Sequence, residues 1–209
     1  MKIVVIGGTG LVGSKLVRKL RSGGHQVLAS PDALGGVQVV VNASNTSIPD
    51  QLAAESAARV AHHVALSVVG ADRVQEEVVK AGPVPYTILR AAQLFEFIGR
   101  IADSSTDGDI VRLPPTLIQP VAADDVASAL ADLALGSPLN DTVELAGPEA
   151  FRLDELARRV LEATGDPRRV TTDVHARCFG AEVDGWPLIP AEDARIASTR
   201  FEDWIGESS

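Results

Sequence analysis

Cysteine and aromatic residues are scarce in this sequence. Cys178 is the one cysteine among 209 residues, so no disulfide can form within the chain. Phenylalanine, tryptophan and tyrosine together make up 4% of the residues, which argues against an aromatic-rich recognition surface. A disulfide framework is therefore excluded, and Cys178 is expected to be a small core residue rather than a nucleophile.

Long apolar runs are also absent. None approaches the roughly 20 residues that a membrane-spanning helix needs. The chain opens with the strand-like segment Lys2–Ile6 and not with a charged region followed by a long apolar one. We therefore expect a cytoplasmic protein that does not enter a membrane.

Positive charge is in deficit. The sequence has 19 basic and 28 acidic residues, which gives a formal net charge of −9. Such a chain repels nucleic-acid backbones unless a basic patch opposes the net charge, and the pairs Arg158-Arg159 and Arg168-Arg169 are isolated in acidic surroundings. The expected partner is a small-molecule substrate and not a nucleic acid.

The apolar residues present are mainly alanine, valine and leucine, and they alternate between short β-branched runs and helical stripes. This pattern predicts an α/β fold with a doubly wound, mostly parallel sheet. The predicted strands are 2–6, 26–29, 37–41, 64–69, 86–89 and 142–145, and the predicted helices include 11–22, 51–61 and 124–135.

The C-terminal part has a different pattern. After residue 150 the sequence shows one amphipathic helix, with Leu153, Leu156, Val160 and Leu161 on one stripe, followed by short polar segments. We therefore predict a dinucleotide-binding domain over residues 1–150. Residues 151–209 are predicted to form a small α+β lid on its substrate side that is not an independent domain.

The segment GGTGLVG between the first strand and the first helix has the spacing of a phosphate-binding loop. The first amide groups of a helix lack partners within it and lie at the positive end of its dipole, so they can bind a pyrophosphate. Glycines allow the tight turn, the close approach of phosphate and the close packing of the helix. This Rossmann-type loop predicts a dinucleotide site, and its residues are Gly7, Thr9, Gly10, Leu11, Val12 and Gly13.

The end of the second strand should meet the adenosine ribose. Ser30 and Asp32 lie at about the expected distance, and an acidic residue there favours NAD. Asp32 follows Pro31, however, and can point away, while no lysine or arginine lies nearby to bind the phosphate of NADP. The predicted cofactor is therefore NAD(P), with the two forms left open.

Several further segments resemble the NmrA-like, atypical short-chain dehydrogenase/reductases, and the likeness spans most of the chain. The segments that carry it are GGTGLVG at 7–13, NAS at 42–44, HHVALSVVG at 62–70, VPYTILR at 84–90, QPVAADDVA at 119–127 and AGPE at 146–149.

This resemblance implies roles for residues beyond the glycine loop. Ala43 and Ser44 would pass under the adenosine and ribose, and Ser67 and Val68 would lie beside the nicotinamide, with Ser67 as the candidate catalytic residue. The implied walls of the substrate pocket are Gln93, Phe95 and Phe97. For Ser67 the alternative is a strand-end hydroxyl that satisfies a neighbouring backbone group, and for Phe95 and Phe97 it is ordinary core packing.

The sequence departs from this family in its proton donor. The family pairs a tyrosine with a lysine one helical turn later, whereas Tyr86 is the only tyrosine here and lies on a predicted strand. Carbonyl reduction needs a proton for the developing alkoxide, but a quinone can take its proton from water. Two hypotheses follow: an NAD(P)-dependent oxidoreductase acting on a quinone or carbonyl compound, or a non-catalytic NAD(P) sensor read by a protein partner. Neither predicts a metal site.

Overall fold

The computed structural model describes residues 1–29, 34–44, 49–70, 73–176 and 188–207. Its strands are β1 (Lys2–Ile6), β2 (Gln26–Leu28), β3 (Val39–Asn42), β4 (His62–Val68), β5 (Tyr86–Ala91), β6 (Thr106–Asp107), β7 (Ile110–Leu113), β8 (Leu117–Ile118), β9 (Asp141–Ala146), β10 (Phe151–Arg152), β11 (Arg169–Thr172) and β12 (Arg195–Ile196). Its helices are α1 (Leu11–Ser22), α2 (Pro49–Ala57), α3 (Val74–Ala81), α4 (Ile98–Ser104), α5 (Ala123–Leu135), α6 (Leu153–Ala163) and α7 (Phe201–Glu207), with a 3₁₀ turn at Phe95–Phe97.

The main sheet has seven strands in the order β12-β9-β5-β4-β3-β1-β2. The pairs β1–β2, β1–β3, β3–β4, β4–β5 and β9–β12 are all parallel. The predicted mostly parallel, doubly wound sheet is confirmed. Parallel strands bring their carboxyl ends to one edge, and Ile6, Asn42 and Ala65 lie in one row across β1, β3 and β4 close to that edge.

Strand β4 divides its side chains between two helical layers. Successive residues of a strand point to opposite faces, so His63, Ala65 and Ser67 share one face. Ala65 belongs to a buried cluster with Leu52 of α2 and Val79 of α3, which identifies the helices on that face. Helix α5 also packs on β4, and the alternate residues of the strand supply the opposite face.

The connection from β2 to β3 differs from the other parallel connections of this sheet. The two strands lie on opposite sides of β1, yet the residues described between them, 29 and 34–38, contain no helix. Ten residues, 29–38, separate the two strands, which is at the lower limit of what a helical crossover needs. Strand β2 thus lies at an edge of the sheet, where the guanidinium of Arg21 donates to the Val27 carbonyl at 3.2 Å.

The chain forms two compact units. The first comprises residues 1–91 and 123–144 and contains β1 to β5 and most of β9. Its core includes Val4, Val40 and Val84 in one cluster. Helices α1 and α5 pack together, and Lys15 of α1 donates to Asp124 of α5 at 2.5 Å.

The second unit comprises residues 92–122 and 145–209. It contains a three-stranded sheet in the order β11-β7-β6 and the antiparallel pair β10–β8. Its core is one apolar cluster in which Phe95, Phe151, Phe201 and Trp204 meet. This unit takes in residues 92–122 and 145–150 in addition to the predicted appendage, and the role of residues 151–209 as a substrate-side lid stays a prediction.

Membrane insertion finds no support among the helices. Within the described ranges, no helix combines the length and the apolar character that crossing a bilayer would require.

Candidate functional site

The glycine loop joins β1 to α1 at the carboxyl edge of the sheet. Gly7 has a φ of +75°, a conformation that glycine adopts without strain. The Gly10 amide donates to the Gly7 carbonyl at 2.9 Å and so closes the turn. Gly10 also precedes the first residue of α1 in extended conformation, with no side-chain cap. The amino end of α1 therefore presents backbone amides that no capping side chain covers.

Two contacts explain the spacing of the glycines. A Cβ at Gly13 would lie 2.1 Å from the Gly7 carbonyl oxygen, and one at Gly7 would lie 2.9 Å from the Ala43 carbonyl oxygen and the Ser44 Cβ. Backbone and neighbouring chain fill both places, so neither can hold a side chain without a shift. The loop is thus packed against α1 on one side and the end of β3 on the other.

The end of β3 carries an asparagine that the sequence analysis did not assign. The Oδ1 atom of Asn42 accepts hydrogen bonds from the backbone amide of Ser44 at 3.0 Å and from its hydroxyl at 2.9 Å. Asn42 is 1% exposed, and its Nδ2 atom has no hydrogen-bond partner among the described residues. The oxygen of this amide fixes the Ala43-Ser44 turn beside Gly7, and its nitrogen is buried.

Ser67 belongs to a network of charged groups. Its hydroxyl donates to Glu76 of α3 at 2.7 Å. Arg90 of β5 donates to both oxygens of Glu76, from Nε at 2.9 Å and from Nη2 at 2.5 Å, and its Nη1 donates to Glu144 of β9 at 2.5 Å. The hydroxyl of Ser67 is therefore satisfied by a side chain and not by the backbone group that the sequence analysis weighed as the alternative.

The network keeps Glu76 ionised although its side chain is 3% exposed. Burial alone would raise the pKa of Glu76, but the hydrogen bonds from Arg90 and Ser67 and the positive charges of Arg90 and Lys80 outweigh it, so the pKa is lowered. In turn, the hydrogen bonds to Glu76 raise the pKa of Arg90 against the opposing effect of burial. The pair is a fixed carboxylate–guanidinium unit beneath Ser67.

Tyr86 lies away from the carboxyl edge. It is the first residue of β5, four residues before Arg90, and Arg90 pairs with Ser67 across the strands. Four residues of a strand span about 13 Å. The only tyrosine of the sequence is thus too far back along the sheet to give a proton to a group beside Ser67.

Two buried histidines begin β4. His63 Nδ1 lies 2.8 Å from Glu55 Oε2, and both side chains are fully buried. His62 Nε2 lies 2.9 Å from the Thr87 hydroxyl. Burial, with a smaller contribution from His63, lowers the pKa of His62. Both histidines precede Ser67 by at least four residues and link β4 to its neighbours in the sheet and helix layers.

The three predicted substrate residues lie in the second unit. Phe95 is fully buried, with its ring stacked 5.2 Å from that of Trp204, so it offers no surface to a ligand. Gln93 and Phe97 are half-buried, and Arg100 lies 5.6 Å from the Phe97 ring. Core packing thus describes Phe95, whereas pocket roles for Gln93 and Phe97 stay predictions.

The remaining predicted site residues lie at the glycine loop, at the end of β4 or outside the described residues. Ser30 and Asp32 lie outside the described residues. Thr9 and Leu11 are exposed at the loop and Val12 is buried beneath it, while Val68 is 39% exposed at the end of β4. In the described part of the chain, no group of three or more histidine, cysteine, aspartate and glutamate side chains could hold a metal ion.

Solved structures resemble this chain in fold. DesIV, a dTDP-glucose 4,6-dehydratase from Streptomyces venezuelae with NAD bound, matches with a TM-score of 0.71 and 15% identity over 99% of this chain and 95% of its own. MoeE5 in complex with UDP-glucose and NAD matches with a TM-score of 0.66 and 18% identity over 99% and 96%. The chain shares with both structures a Rossmann-like α/β fold.

A third similar structure has a different reaction. The NADPH-dependent quinone oxidoreductase of Escherichia coli, complexed with NADPH, matches with a TM-score of 0.62 and 20% identity over 82% of this chain and 77% of its own. No family model matches the sequence, and no curated protein matches it. At these identities the likeness is one of fold, which a dehydratase and a quinone oxidoreductase share.

Proposed function

We propose that this protein binds NAD(P) in the loop Gly7–Gly13 and transfers hydride to a quinone or carbonyl compound, as an atypical short-chain dehydrogenase/reductase of the NmrA-like type. The observation that carries the proposal is the loop itself, in which backbone atoms, joined at Gly7 by the Ser44 Cβ, fill the places that a side chain would occupy at Gly7 and Gly13. Such a loop leaves the amino end of α1 open to a pyrophosphate.

The surroundings of the loop support the same ligand. Gly10 and Leu11 are exposed at the positive end of the α1 dipole, where the first amides of a helix have no partner within it, and Thr9 adds a hydroxyl. A dinucleotide offers phosphate and ribose oxygens as acceptors for these groups. The similar structures that contain NAD or NADPH favour this choice over a mononucleotide.

The hydride acceptor should be a compound that does not need a tyrosine as its proton donor. Because Tyr86 begins β5 and lies about 13 Å behind the row of Ser67, the reduced product must take its proton elsewhere. A quinone can do so from water. Among the acceptors considered, quinones are therefore the first to test, followed by aldehydes and ketones.

The experiment measures binding and turnover on the same preparation. NADH and NADPH are titrated by calorimetry, and oxidation of each is then followed at 340 nm with a panel of quinones and aldehydes. Micromolar binding together with acceptor-dependent oxidation supports the proposal. A protein that binds neither nucleotide contradicts it.

The alternative is a non-catalytic NAD(P) sensor that a protein partner reads. The position of Tyr86 favours it, as does the engagement of the Ser67 hydroxyl by Glu76, because both deprive the site of a proton donor. A sensor binds the nucleotide with comparable affinity but oxidises it with no member of the panel. Tight binding without turnover would therefore select the sensor.

A further inference from the structure

The proton of the Ser67 hydroxyl is already committed within the protein. It is donated to Glu76 Oε1 at 2.7 Å. A serine hydroxyl has one proton to donate and two lone pairs that accept. What Ser67 has left for a ligand is therefore its acceptor capacity.

Glu76 is held as an ionised carboxylate, so it cannot donate a hydrogen bond to Ser67 and thereby free the serine proton for a ligand. Arg90 donates to both of its oxygens, at 2.9 and 2.5 Å, in the forked geometry typical of a strong arginine–carboxylate pair. An ionised carboxylate only accepts hydrogen bonds. Since Arg90 is itself held by Glu144 at 2.5 Å, neither partner can turn away without leaving a buried charge unpaired.

Ser67 lies where the reactive half of a dinucleotide would reach. It is on the face of β4 turned toward α3, two residues beyond the row formed by Ile6, Asn42 and Ala65. Strand β4 is two strands away from β1, which corresponds to about 10 Å across the sheet. With the pyrophosphate at the loop after β1, a ribose and ring extending over β3 cover that distance.

We infer that Ser67 accepts a hydrogen bond from an N–H or O–H group of the bound ligand, and that Glu76 and Arg90 are positioning residues that hold its proton away. The inference rests on the proposed function, because a dinucleotide brings such a group to this place. Two groups have the required chemistry: the carboxamide of the nicotinamide ring and a hydroxyl of the reduced substrate. On this inference Ser67 does not polarise a carbonyl oxygen.

The first test compares NAD(P)⁺ with its 3-acetylpyridine analogue, in which an acetyl group replaces the carboxamide and no N–H remains. Affinities are measured by calorimetry for the wild type, for Ser67→Ala and for the control Ser128→Ala, whose hydroxyl donates within α5 to the Asp124 carbonyl. A net hydrogen bond corresponds to roughly a 5- to 10-fold preference for the carboxamide. We expect that preference in the wild type and the control, and its loss in Ser67→Ala.

The second test separates the two sources. If Ser67→Ala keeps the wild-type affinity ratio, Michaelis constants are compared for alcohols and for the carbonyl compounds that they yield. A greater rise of KM for the alcohols supports the inference with the substrate hydroxyl as donor. A greater loss of kcat/KM for the carbonyl compounds overturns it, as does no change for either class. If the wild type binds no dinucleotide, the proposed function itself fails, which is a different result from equal ratios.

The positioning role of Glu76 has its own readout. In Glu76→Gln one oxygen becomes an amide donor, so the Ser67 proton loses its fixed acceptor and the affinity ratio should fall. Affinity for ADP-ribose, which lacks the nicotinamide, should stay as in the wild type. If the carboxamide is the donor, an unchanged ratio would reject the role of Glu76; if the substrate hydroxyl is the donor, the KM for the alcohols replaces the ratio, and an unchanged KM would reject it. Should this variant fail to fold, Ser67→Thr decides instead, since it retains the hydroxyl and should retain the ratio, whereas loss of the ratio in Ser67→Thr overturns the inference.

Discussion

The Cα atom of Gly13 faces the carbonyl oxygen of Gly7 so closely that a Cβ at residue 13 would lie 2.1 Å from that oxygen. Both atoms belong to the backbone of the turn and the first turn of α1, so no side-chain rotation can relieve the overlap. The nucleotide loop and the helix that follows it are therefore one packed unit, and its geometry can be tested by single substitutions.

Gly13→Ala should displace the loop. We expect a loss of about 1 to 3 kcal/mol in the free energy of unfolding, as for other overpacked positions, together with at least a 10-fold weaker affinity for NAD(P). Urea denaturation followed by circular dichroism measures the first and calorimetry the second. The control is Gly99→Ala in α4, where a Cβ meets open space and alanine should stabilise the helix by about 0.5 to 1 kcal/mol. Equal effects at both positions would contradict the packing argument.

Gly10→Asp should separate binding from stability. Gly10 caps the amino end of α1 in extended conformation, where an aspartate or asparagine oxygen can accept the free amides of the first turn. Stability should thus stay within about 1 kcal/mol of the wild type or rise. Binding of NAD(P) should be lost, because the carboxylate repels the pyrophosphate and occupies its donors.

The matched control for this change is Gly10→Asn, which has nearly the same shape without the charge. It should weaken binding less than Gly10→Asp, and the difference should shrink as salt concentration rises. Unchanged affinity in both variants would place the phosphates elsewhere.

Arg90→Met should destabilise the first unit by about 3 kcal/mol, because it leaves the carboxylate of Glu76 buried without its partner. Glu144→Gln keeps the pairing of Arg90 with Glu76 and should cost only about 1 kcal/mol. Urea denaturation of both variants checks the order. If both variants lose the same free energy of unfolding, the hydrogen bonds of Arg90 to Glu76 contribute no more to stability than its bond to Glu144.

His62 should make the protein less stable in mild acid. Its pKa is lowered from 6.5 by burial, so below pH 6.5 the unfolded chain binds a proton that the folded chain resists, and the free energy of unfolding falls as the pH drops. His62→Gln should flatten this dependence between pH 6.5 and 5. His175→Gln, at an exposed position, controls for the removal of a histidine. A wild-type profile in His62→Gln would assign the effect to other groups.

The local sequence pattern predicted the helices and strands that bury a regular stripe or run of apolar residues. Helix α1 occurs at Leu11–Ser22 as expected, because its apolar stripe and the flanking glycines are contained in the sequence itself. Strand β4 was predicted to begin at Val64 but begins at His62. Its two histidines are polar residues, and they are buried because their rings form hydrogen bonds with Thr87 and Glu55.

The part of the candidate site that is formed by the backbone of one loop was predictable. The part that depends on charged residues far apart in the sequence was not. The glycine spacing alone indicated the loop. By contrast, Glu76 lies on a helix among other charged residues, and such a residue is usually exposed. Its burial depends on Arg90, 14 residues further along the chain, and on the sheet that brings them together. No local signal contained that pairing.

Strand β2 ends the strand order of the main sheet and so leaves an edge to which a strand of another molecule could pair. Gln26 donates its amide to Met1 on the β1 side, so the backbone groups of Val27 point away from the sheet. Arg21 covers that carbonyl, and the strand is only three residues long. Short edges and long cationic side chains are means by which proteins prevent edge-to-edge aggregation. Arg21 thus occupies the carbonyl through which a strand of another molecule would begin to pair with β2.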